Sequence, residues 1–141
     1  FLCRESRFDE AEAAFLKAAN NPLYATPEIA YSNAGSCAMN QGKLDIAETY
    51  FRDALQKNPR VAIALLQMAE ISYDTNNYLS ARGYMQRYLE ISAHTAKSLW
   101  LGIQIENELG DKNTLSSYKL LLKNKFPDSK EADMLRDSLV K

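Results

Sequence analysis

The sequence predicts an all-α chain in which antiparallel helix pairs stack one upon the next, and three observations predict it. Gly42, Asn76 and Gly110 recur at intervals of 34 residues, and each is a residue type that tolerates the left-handed conformation just past a helix end. Packing positions keep the same interval, Ala47 with Ala81 and Phe51 with Met85, while Pro59 and Pro127 lie two periods apart. The 141 residues include only 5 Gly and 4 Pro, too few for the many tight turns of a sandwich or barrel.

The elements follow in order. A first helix over 8–20 carries Ala11, Phe15 and Ala18, which match the second half of a repeat, and Phe8 aligns with Leu44 and Tyr78. Only a fragment of that repeat's first helix is present, near residues 1–5. A repeat lacking half its partner surface is not a natural start, so the chain reads as the C-terminal part of something longer or as a trimmed piece. Residues 20–26 carry an insertion, because Ala11 to Ala47 is 36 rather than 34. Thr26-Pro27-Glu28 is a helix start: an N-cap hydroxyl, a proline in the first turn and an acidic residue at the positive end of the dipole.

Helices over 27–41 and 44–57 make the repeat at 28–61. Tyr31 takes its early aromatic position and Ala34-Gly35 the central small pair; Ala47, Phe51, Ala54 and Pro59 follow in the second half. Gly35 and Ala47 lack bulk, so the two helices can approach closely, and Phe51 fills the space between. Asn58-Pro59 then stops one helix and starts the next. Helices over 60–75 and 78–92 make a more degenerate repeat at 62–95, with Leu65, Ala69, Tyr73, Ala81, Met85 and Tyr88 packing. Helices over 95–109 and 112–125 make a third at 96–129, with Leu99, Gly102, Ile103, Leu115, Tyr118, Leu122 and Pro127. Leu115 stands where the pattern wants Ala. A last helix over 129–140 sets Met134, Leu135 and Leu139 among charged residues, as a solvating cap does.

A period of 34 with small residues inside and proline at the end is the signature of the tetratricopeptide repeat. The expected architecture is one solenoid over 1–141, a right-handed superhelix of antiparallel helix pairs. Its parts are a partial repeat at 1–25, repeats at 28–61, 62–95 and 96–129, and a C-terminal capping helix at 130–141.

Composition narrows the function. Eighteen acidic and 17 basic residues give a net charge of −1, so no positive field favours nucleic acid. No apolar run approaches the roughly 20 residues of a membrane span, and the chain reads as soluble. Cys3 and Cys37 with one distant His, His94, make a poor metal site, and no cofactor is expected. Two readings of the cysteines stay open: small buried side chains on helices, or a disulfide. His94 sits in a predicted inter-repeat turn and reads as a surface residue without a nucleophile beside it. Gly102 and Gly110 are isolated and form no phosphate loop. Asp9, Glu10, Glu12, Asp45 and Glu48 fall in first turns, where they complement the helix dipole. The chain is not read as an enzyme.

In stacked helix pairs the first helix of each repeat lines the concave surface. The inward positions that do not pack are Asn33, Ser36 and Asn40, then Gln67, Glu70 and Asp74, then Trp100, Gln104 and Asn107. Amides there can pair with an extended peptide backbone, and an indole is a large anchor. Trp100 has a second reading, packed under the C-terminal cap. A groove that grips a terminal carboxylate would set Lys or Arg beside Asn33, but the corresponding later positions are Ile63 and Gln67, so that mode is not supported.

Beyond the repeat, NPLYATPEIAYSNAG at 21–35 and AKSLWLGIQIENELGDKNTLSSYKLLLKNKFPDS at 96–129 resemble a specific family, the type IV pilus biogenesis lipoproteins or pilotins (PilF/PilW). The shared elements are Ser98-Leu99, Leu101-Gly102-Ile103, Asp111, Ser117-Tyr118, Leu122-Lys123, Phe126-Pro127 and Ser129, and the resemblance runs over about 1–131. It implies a periplasmic protein held at the outer membrane by a lipid anchor absent from this piece, with six repeats in the full chain. It also implies a protein partner, the outer-membrane secretin or another pilus-assembly component, whose localisation or multimerisation it assists. The alternative is a generic repeat adaptor with unrelated peptide or protein clients.

Overall fold

A computed structural model describes residues 8–21 and 27–140; of residues 8–12, 139 and 140 it describes the backbone alone. The described residues form eight helices and no strand: α1 (Phe8–Asn20), α2 (Pro27–Asn40), α3 (Leu44–Lys57), α4 (Ala62–Asp74), α5 (Tyr78–Leu89), α6 (Ala96–Leu109), α7 (Lys112–Lys125) and α8 (Lys130–Val140). Thr26, Cys3 and the side chain of Phe8 lie outside the described residues.

The 34-residue period is written into the backbone. Gly42, Asn76 and Gly110 adopt φ of 75°, 65° and 77°. Past each of them the chain closes back on the helix just ended: Lys43 N–H donates to the Ala38 carbonyl at 2.9 Å, Asn77 N–H to Ser72 at 2.7 Å and Asp111 N–H to Glu106 at 3.2 Å. These bonds satisfy carbonyls that a helix end leaves without partners. Asn76 can stand in for glycine because asparagine is among the few side chains that enter this region readily.

The chain divides into two compact units, Phe1–Ile71 and Ser72–Lys141, with α4 running through the division. In the first unit α2 packs against α1 on one side and α3 on the other. Its core is made of small residues, Ala34, Cys37, Ala38, Ala47 and Ala54, around the fully buried ring of Phe51. A Cβ built on Gly35 would lie 2.7 Å from Cε1 of Phe51, so the glycine is what lets α2 and α3 close on that ring. Cys37 is buried and disulfide-bonded.

Asn58-Pro59 ends α3 but does not begin α4. Asn58 is extended (φ −149°) and its Oδ1 accepts from the Arg60 N–H at 3.0 Å. That side-chain turn holds 58–60 out of helical geometry, and α4 begins only at Ala62.

In the second unit α6 packs against α5, α7 and α8. Leu99, Ile103, Leu122, Ala132 and Leu135 make its core, with Ala96, Trp100, Leu115, Tyr118, Leu121 and Phe126 packed around it. The Gly35–Phe51 arrangement recurs as Gly102–Tyr118. Leu115 escapes the demand for alanine because the seam has shifted by one residue. Ala47 precedes Phe51 by four positions, but Thr114, not Leu115, precedes Tyr118 by four. α5 stops at Leu89, three residues before the predicted end, because Ile91 and Ser92 N–H both turn back to the Tyr88 carbonyl. Among α8's side chains Ala132 and Leu135 are buried and Met134 is 39% exposed, which suits a helix covering the end of a core.

Candidate functional site: the open faces of the first helices

None of the nine predicted face residues is buried. Asn33, Asn40, Asp74 and Asn107 are exposed, and Ser36, Gln67, Glu70, Trp100 and Gln104 are half-buried. Two of them are tied to each other: Ser36 Oγ donates to Gln67 Oε1 at 2.6 Å, linking α2 to α4. That bond fixes the two side chains and takes the hydroxyl proton, so this part of the face offers a partner less than the sequence promised.

The second unit brings three of the nine together. Trp100, Gln104 and Asn107 of α6 line a cleft of about 280 Å³ with Ile103, Leu115 and Lys119, closed on the far side by Leu135 and Ser138 of α8. Trp100 stands between the two positions the sequence left open for it. It packs against the core that α8 caps, yet stays half-exposed and forms a wall of the cleft. Sequence periodicity found its α6 residues and the apolar character of Leu135, while Lys119 and Ser138 come from other helices and had no signal of their own.

Two polar features of the second unit were not predicted. Arg82 on α5 clasps Glu106 on α6: Nε donates to Oε2 at 3.1 Å and Nη2 to Oε1. Asp111 Oδ2 lies 3.6 Å from the same Nη2. The Glu106 side chain is only 5% exposed, and its hydrogen bond to the guanidinium pushes the Arg82 pKa further up. Glu106 falls in the column of Ala38 and Ser72, both buried. A charge in a column of small residues was the available signal. Asp111 caps α7, accepting from Thr114 N–H at 3.1 Å, and the Thr114 backbone bond is the main cause that lowers its pKa.

His94 is not the surface residue the sequence suggested. Its ring stands edge-on to Tyr118, centroids 5.1 Å apart and planes at 77°, and Nδ1 lies 2.7 Å from Ser98 Oγ. Nε2 is buried with no hydrogen-bond partner. Burial pushes the imidazole below its ordinary pKa. Ser98 is also half of a capping box with Thr95, so His94 is part of the α6 start. The described residues hold no group of three or more His, Cys, Asp or Glu placed to bind a metal.

Known proteins share this fold. The tetratricopeptide-repeat family model matches residues 32–95. A Pseudomonas aeruginosa protein, type IV pilus assembly protein PilF, is 31% identical over 131 residues, 93% of this chain and 52% of its own length. The chain has the tetratricopeptide-repeat fold and is homologous to PilF. The solved structure of Pseudomonas aeruginosa PilF superposes with a TM-score of 0.85 at 29% identity, over 94% of this chain and 60% of that one. PilW, described as a widely conserved type IV pilus biogenesis factor, superposes at 0.80 with 30% identity, over 92% and 60%. The chain therefore spans about half the length of the curated PilF it matches. Its tetratricopeptide fold and its resemblance to PilF and PilW, both expected from the sequence, stand.

Proposed function

We infer that the protein is a non-enzymatic scaffold of type IV pilus biogenesis that acts as a pilotin: it binds the outer-membrane secretin and assists its localisation or multimerisation. The observation that carries this reading is the extent of the likeness to PilF, which runs over 131 residues and well past residues 32–95 that the repeat family model matches. The chemistry of the faces supports it. The nine proposed partner-binding residues, Asn33, Ser36, Asn40, Gln67, Glu70, Asp74, Trp100, Gln104 and Asn107, supply amides, carboxylates and one indole on rigid helices, which suits holding a polypeptide.

The proposed location is the periplasmic face of the outer membrane, reached through a lipid anchor elsewhere in the whole protein. A disulfide-bonded Cys37 suits an oxidising compartment. No described helix is long and apolar enough to cross a membrane.

Deleting the parent gene tests the reading. The deletion strain should lose surface pili and accumulate secretin monomers in place of heat-stable multimers. Normal multimers together with normal twitching would defeat it.

A further inference from the structure

The cleft between α6, α7 and α8 has a one-sided chemistry. Its floor and walls are apolar: the Trp100 ring, Ile103, Leu115 and Leu135. Its polar members are Gln104, Asn107, Lys119 and Ser138. The Ser138 hydroxyl proton already goes to the Leu135 carbonyl at 2.7 Å. The amide groups of Gln104 and Asn107 and the ammonium of Lys119 have no partner among the described residues. No carboxylate lines the cleft. Lys119 belongs to a helix, KNTLSSYKLLLKNK, that carries Lys112, Lys119, Lys123 and Lys125 and no acidic residue, and none of these four is in an ion pair among the described residues.

An apolar hollow of about 280 Å³ accepts one large side chain and little more. Donors set beside a lone cation at its rim favour an oxygen anion next to that side chain, because charge-assisted hydrogen bonds to a carboxylate are the strongest those donors can form. We propose that this cleft receives a segment of a partner polypeptide that presents a large aliphatic or aromatic side chain beside an aspartate or glutamate. The apolar side chain enters between Trp100 and Leu135, and the carboxylate meets Lys119 and the Gln104 and Asn107 amides. The inference rests on the reading of the protein as a polypeptide-binding scaffold and narrows it to one pocket and one ligand chemistry.

Trp100 is the one tryptophan of these 141 residues, and the emission lost in a Trp100→Phe variant of the full-length protein is the part that reports on this cleft. The test is selection of displayed random peptides on the full-length protein, followed by titration of the chosen peptides into wild type, Lys119→Glu and Asn107→Asp. The result expected is enrichment of an apolar residue next to Asp or Glu, a shift in Trp100 emission on binding, and affinity reduced by about tenfold or more in Lys119→Glu. Asn107→Asp, which keeps the shape and adds a like charge, should weaken binding in the same direction. Peptides without an acidic residue, peptides that leave Trp100 emission unchanged, or equal affinity for Lys119→Glu would each overturn the proposal while leaving the scaffold reading intact. Failure to select any peptide would count against both. Self-association of the protein that Lys119→Glu abolishes would place a second copy in the cleft and overturn it too.

Discussion

A Cβ on Gly102 would lie 2.9 Å from Cε2 and 3.0 Å from Cδ2 of Tyr118, so the ring occupies the space the glycine leaves empty. Gly35 and Phe51 stand in the same relation, and in both pairs the aromatic follows the glycine by 16 residues. Gly83, in the middle of α5, has nothing within 4 Å of its would-be Cβ.

The three glycines therefore answer differently to the same substitution. Alanine is better than glycine in a helix by about 1 kcal/mol, and Gly83→Ala should raise stability by roughly 0.5–1 kcal/mol. Gly35→Ala and Gly102→Ala gain that propensity but must displace a packed ring, at about 1–3 kcal/mol for overpacking, and should melt lower. Gly35→Leu should be worse still. Urea unfolding of the set decides it; a Gly35→Leu protein as stable as wild type would show the seam to be elsewhere.

The Arg82–Glu106 clasp predicts a non-additive pair. Arg82→Met leaves a nearly buried carboxylate without its cation and should cost about 3 kcal/mol. Adding Glu106→Leu removes the stranded charge and should recover most of the loss, because a buried ion pair replaced by apolar groups is often close to neutral. A double variant as unstable as the single one would mean that the arginine's packing, not its charge, matters.

His94 predicts a pH dependence of known sign. Its folded pKa lies below its unfolded value, so the unfolded chain takes up the proton first. Stability is fully present above about pH 6.5 and falls as pH drops from there toward the folded pKa. His94→Gln should flatten thermal melts across that window. Asp111 contributes in a separate one: its lowered pKa gives stability that is present above about pH 4 and lost on further acidification. A His94→Gln protein that keeps the loss below pH 6.5 would assign it to another group.

What could be read from the sequence was whatever repeats. Helix ends at Gly42, Asn76 and Gly110 show through because a left-handed residue is a local requirement. The Gly35–Phe51 and Gly102–Tyr118 seams show through because in both an aromatic follows a mid-helix glycine by 16 residues. The Arg82–Glu106 clasp joins residues 24 apart on different helices, and no period relates them. The burial of His94 depends on Tyr118 arriving from α7, which a turn of the form Ser92-Ala93-His94-Thr95 does not announce. The cleft was half legible: Trp100, Gln104 and Asn107 share one face of α6, but Lys119 and Leu135 enter through tertiary packing alone.

Residues on the open faces of the first helices are proposed to hold a protein partner without carrying the fold. The direct measurement is secretin binding by full-length protein bearing Asn33→Ala, Asn40→Ala and Asn107→Ala together, three exposed amides with no partner among the described residues. Unfolding stability should be unchanged, to within about 0.5 kcal/mol per site, with secretin capture and multimer formation clearly weakened. Full secretin capture by the triple variant would contradict it.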